Sequence, residues 1–276
     1  MRHRRIAGRP RAAVWLLALS LAAYAGAPAL AAGATAAAPE YVAVPAGLLS
    51  SVLSGGSAGN LPVKVDGFAM RSEPVTNREF LAFVAAHPEW QRSAAPPIFV
   101  SPNYLRQFDG PESAAALARQ PVTNVSWFAA QAYCESESAR LPSWYEWEYV
   151  AAADEHRRDA RKDPAWRARI LAWYAHPSGS AHASIGGKPN AYGVRDLHGV
   201  IWEWVDDFNA LLVSADSRDQ GDPEKLQYCG AGAISLQDRE NFAVLMRVAL
   251  LSALKGNDST NDLGFRCVRS PNKEEQ

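Results

Sequence analysis

The chain opens on a long apolar run, Ala12 to Leu30, broken by Gly26 and Pro28, and thereafter its patterning is short-range. Tyr41 to Pro45 and Pro62 to Met70 alternate apolar and polar residues with period two, which predicts two strands. Helical spacing takes over at PVTNREFLAFV. Thr76 and Glu79 form a capping box, and Phe80, Phe83 and Val84 fall on one face. Ser126 is placed to cap a helix carrying Trp127, Ala130 and Cys134, and Ser143 with Glu146 makes a second capping box ahead of Trp147 and Ala151. A charged helix is predicted over Asp154 to Tyr174. Another is predicted over Asp238 to Lys255, with Phe242, Leu245, Met246, Ala249 and Ala253 on one face. Residues 87–120, the loop before Asn190 and the acidic stretch after Trp204 read as irregular. PVTN occurs twice, at Pro74 and Pro121, without the fixed period of a repeat protein. Short strands, a few helices and long loops make an α+β domain with much irregular structure.

The N-terminus changes the picture. Five arginines and no acid precede the apolar run, and Ala29-Leu30-Ala31 fits a small-x-small cleavage site, so residues 1–31 read as a secretory signal peptide. Residues 32–40 form a flexible lead-in and 271–276 a tail. A periplasmic or secreted location is therefore expected, with no membrane span after cleavage. Losing residues 1–31 turns 28 basic and 29 acidic residues into 23 and 29, a net charge near −6. An acidic balance of this kind argues against a nucleic-acid partner.

Two motifs carry the candidate chemistry. NAYGVRDLHGVIWEW, Asn190 to Trp204, is a glycine-punctuated loop ending in two tryptophans around a carboxylate, and LGFRCVR, Leu263 to Arg269, closes the domain. With VDGFAMRSEPVTNREFLAFV, PVTNVSWFAAQAYCE and RLPSWYEWEYVAA, they resemble the formylglycine-generating enzyme (sulfatase-modifying factor) family over residues 41–270. The resemblance implies a single α+β domain, distantly like C-type lectins.

Catalytic members of that family hold copper(I) on two cysteines five positions apart. Counting back from Cys267, those positions here are Asp238 and Ala243, with Arg247 on the family's arginine after the second cysteine. Copper(I) prefers thiolates, so copper is not expected and formylglycine formation reads as lost. The resemblance also pairs Cys134 with Cys267 in a disulfide, leaving Cys229 as a buried thiol or a reactive one. It places a structural calcium on the side chains of Asp196 and Glu203 and the carbonyls of Gly199 and Ile201, a hard-oxygen set suited to that ion. The tryptophans 127, 144, 147, 202 and 204 read as core. The C-terminal pattern further resembles nitrite-reductase accessory proteins, which implies an accessory, maturation or binding role toward another exported protein. Two alternatives stand beside it: an oxidoreductase working through Cys229 as its single thiolate, and a calcium-dependent lectin-like binder.

Overall fold

The computed structural model describes residues 39–51, 53, 62–175, 185–211 and 242–271. Residues 1–31, expected to be a signal peptide, lie outside the described residues, as do Cys229 and Asp238, and of Ala243 only the helical backbone is described.

Strands β1 (Tyr41–Val44) and β4 (Phe68–Arg71) pair antiparallel, and a short β7 (Val268–Arg269) joins the other edge of β4, giving the order β1-β4-β7. A separate pair, β2 (Gly47–Leu49) with β3 (Val63–Val65), is also antiparallel. The single strand expected over 62–70 is thus two strands in two sheets. Pro45 explains the break, because it offers no N–H to a continuing ladder, and both members of the ribbon interrupt at that level. A third sheet pairs β5 (Trp202–Glu203) in parallel with β6 (Leu263–Gly264).

The capped helices form where local hydrogen bonding dictates. In α1 (Asn77–Ala86) the Thr76 hydroxyl accepts from Glu79 N–H, while the Glu79 carboxylate accepts from Thr76 N–H at 2.8 Å. Phe80, Phe83 and Val84 are buried as the spacing required. Inside the stretch expected to be irregular, α2 (Pro111–Leu117) buries no side chain, so it left no apolar signature. Ser126 caps α3 (Trp127–Ser136), and the Ser143–Glu146 capping box starts α4 (Trp144–Ala151).

Two helices depart from expectation. Helix α5 spans Pro164–Tyr174 and does not begin at Asp154. Asp154 instead folds a turn, its carboxylate accepting from the N–H groups of His156 at 2.8 Å and Arg157 at 2.6 Å. Asp163 then caps the helix with Pro164 in its first turn. In α6 (Phe242–Ser252) the inward face is Arg247, Val248 and Leu251, whereas Met246, expected inside, is 42% exposed.

The two PVTN segments lie side by side. Val122 N–H donates to Val75 O at 2.8 Å, and Val75 N–H donates to Phe265 O at 3.0 Å. A Cβ on Gly264 would sit 2.1 Å from Val122 O, so only glycine lets β6 come this close. Cys134 of α3 and Cys267, just before β7, form a disulfide across 133 residues, both wholly buried. Constraining a loop of that length is worth about 5 kcal/mol in the chain-entropy account.

Candidate functional site

The WEW turn sits at the centre of the domain because β5 carries it into the core beside β6. Trp204 is fully buried and its indole N–H donates to Val125 O at 3.0 Å. Glu203 is fully buried too, and a buried carboxylate is tolerated only when its oxygens are satisfied. Arg266 satisfies them, its Nε donating at 2.9 Å to Oε2 and its Nη2 at 2.8 Å to Oε1. Trp147 Nε1 adds a bond to Oε2 at 2.8 Å. The remaining Arg266 protons go to main-chain oxygens: Arg195 O at 2.9 Å, Arg71 O at 3.2 Å and Ser72 O at 3.3 Å. A guanidinium has five N–H groups, and all are used.

A second buried arginine lies against the same turn. Arg247 donates through Nη2 to the main-chain oxygen of Glu203 and stacks its guanidinium 3.5 Å from the centroid of Trp147. Its Nε has no hydrogen-bond partner among the described residues. Burial pushes its pKa down to about 10, with Glu203 pulling the other way. This explains the α6 face: reaching Glu203 O and the Trp147 ring turns Arg247 inward and Met246 outward. Behind Trp147, His198 Nε2 lies 2.9 Å from Ala151 O. A carbonyl only accepts, so Nε2 carries the proton and Nδ1 is left as a buried acceptor without a donor. Burial holds this imidazole neutral, its pKa down to about 4.

Beside these groups is a cavity of about 410 Å³, walled by Trp166, Ile170 and Trp173 of α5 and by Ala153, Asp196 and His198. Three of its charged groups are internally engaged. Arg169 reaches Glu155 at 3.3 Å, and the Asp196 carboxylate accepts from Gly186 N–H at 2.8 Å and Gly187 N–H at 3.1 Å. Asp196 takes a left-handed conformation, φ 58°, and Gly199 has φ 99°, which folds the turn back beneath Trp202. Trp202 packs on Trp173 and Tyr174 at ring separations of 5.4 and 4.9 Å.

Comparison with known proteins decides what this arrangement belongs to. A family profile described as sulfatase-modifying factor enzyme 1-like domain matches residues 27–271. The chain belongs to this family. The formylglycine-generating enzyme of Streptomyces coelicolor is 31% identical over 167 residues, covering 54% of the chain and 52% of that enzyme, so the match spans about half of the relative's length. The mouse protein named inactive C-alpha-formylglycine-generating enzyme 2 is 27% identical over 86% of the chain and 88% of its own length. Among solved structures, PvdO from Pseudomonas aeruginosa is 19% identical with a TM-score of 0.45, covering 84% of this chain and 95% of that one.

Membership makes the metal expectations concrete. Of the two positions that the resemblance assigns to copper, the one among the described residues is Ala243 on α6, a residue type without a ligand atom in its side chain. The calcium set does not fit as expected. Asp196 and Glu203 flank one turn, yet the Asp196 carboxylate closes on the 186–187 amides and the Glu203 carboxylate closes on Arg266 and Trp147. Cys134 and Cys267 are joined, as the resemblance implied. What sequence reasoning missed is the role of the two arginines. Arg266 stands within LGFRCVR, and Arg247 falls on the arginine that the resemblance places after the second copper position. A buried charge partner 63 residues from Glu203 leaves no local signature.

Proposed function

We propose that this family member has lost formylglycine formation and serves as an exported accessory or maturation protein for another exported protein, a copper nitrite reductase being the first partner to test. The observation that carries the reading is the register of α6. Arg247 is anchored at both Glu203 and Trp147, which places position 243 one helical turn earlier, and that position is alanine. With aspartate and alanine at the two positions there is no soft two-coordinate site for copper(I). The mature protein, incubated with copper(I), oxygen and a CxPxR peptide, is expected to leave the cysteine unmodified, and an aldehyde on the peptide would overturn the loss of activity. For the accessory role, deleting the gene is expected to lower the copper content of the exported nitrite reductase. Unchanged copper occupancy removes that role.

A further inference from the structure

We propose that the 196–203 turn holds no divalent cation, because Arg266 and Trp147 already engage both Glu203 oxygens, so that this chain folds without the calcium its loop pattern suggests. The inference is independent of whether the protein retains any catalysis.

A calcium ligand must offer an oxygen lone pair toward a space the ion can occupy. Glu203 offers none that is free of competition. Both its oxygens accept from Arg266, Oε2 accepts also from Trp147, and the residue is wholly buried. The guanidinium cannot swing aside cheaply. Its outer nitrogens are held by main-chain oxygens from two other segments, Arg71–Ser72 on one side and Arg195 on the other, so leaving Glu203 would also orphan those carbonyls. The charge balance points the same way. Arg247 already donates to the Glu203 main chain, which, among the described residues, sets two buried guanidinium groups against one carboxylate. A further double positive charge there would add repulsion in a region where water cannot screen it. Asp196, the other expected side-chain ligand, accepts the Gly186 and Gly187 amides, one on each oxygen. These bonds close the loop end that a metal would otherwise draw in.

The test is thermal unfolding of the mature full-length chain in excess calcium and in excess chelator, with elemental analysis after desalting. The expected result is the same Tm in both, within about 1 °C, and no retained calcium. A ligand at a hundredfold excess over its Kd raises stability by about 2.7 kcal/mol, so a working site would be plain: a Tm several degrees lower in chelator, or calcium retained in proportion to protein, overturns the proposal. Glu203→Gln gives an independent reading, because it removes the charge and keeps the shape. It is expected to lower Tm equally in calcium and in chelator. A loss seen in calcium alone would mean that Glu203 is a metal ligand and would overturn the proposal.

Discussion

Arg266 and Arg247 lie against the same glutamate and are equally buried, yet they are built in opposite ways. Arg266 places every N–H on an acceptor, two of them oxygens of a full carboxylate. Arg247 has a main-chain oxygen and an indole face, and its Nε is unpaired among the described residues. Desolvation is compensated in the first case and only partly in the second, which is why the Arg247 pKa falls to about 10. The contrast teaches that burial alone does not say what a charge contributes. The partners decide whether it locks the fold or burdens it.

The largest break in that comparison should come from Arg266→Met. It leaves Glu203 buried with its charge uncompensated, and losing one partner of such a pair costs about 3–5 kcal/mol. Denaturant unfolding should show this as a midpoint shift with little change in slope. Glu203→Gln should cost about as much, roughly 3–5 kcal/mol, since it leaves the Arg266 cation buried without its counter-charge and turns one acceptor oxygen into an amide donor. Arg247→Met should change stability by no more than about 1 kcal/mol, toward neutral or higher, because an apolar side chain replaces a poorly paired cation of similar length. If Arg247→Met is as damaging as Arg266→Met, the comparison fails.

Alkaline pH sharpens it with opposite signs. Burial pushes Tyr174 from 10.0 up to about 12, against the pull of nearby Arg247. The folded state therefore keeps that proton longer. Its contribution is complete below the unfolded value near 10 and is lost as pH rises from there toward 12. Arg247 runs the other way: its folded pKa lies below the unfolded one, so its burial cost is relieved above about pH 10. Stability measured from pH 9 to 11 should fall less steeply in Tyr174→Phe than in the native chain, and more steeply in Arg247→Met. These are the smallest effects of the set.

Within a few residues, the chain determines its own structure. Thr76 with Glu79, Ser126, and Ser143 with Glu146 start α1, α3 and α4 where the letters placed them, because each cap closes a hydrogen bond three positions away. Trp144, Trp147 and Trp204 are interior, as large apolar rings in such a pattern should be. The α+β class and the family were legible from ordered motifs, and through the family the Cys134–Cys267 pairing. The acidic start of the helix expected at Asp154 misled, because a side chain that satisfies its own following amides competes with helix at that point. The apolar spacing of Met246, Ala249 and Ala253 misled for another reason. It ranks side chains by hydropathy, and the structure turned inward the one charged residue with a place to go.

What the tertiary structure alone decided is who answers Glu203. The loop from Asp196 to Glu203 has the oxygens of a cation site, and read by itself it asks for a metal. Arg266 is 63 residues away, and only the parallel pairing of Trp202 with Leu263 and of Glu203 with Gly264 brings it alongside. Electrostatic partners are chosen by distance and desolvation in the folded chain, and neither quantity exists until the strands have paired.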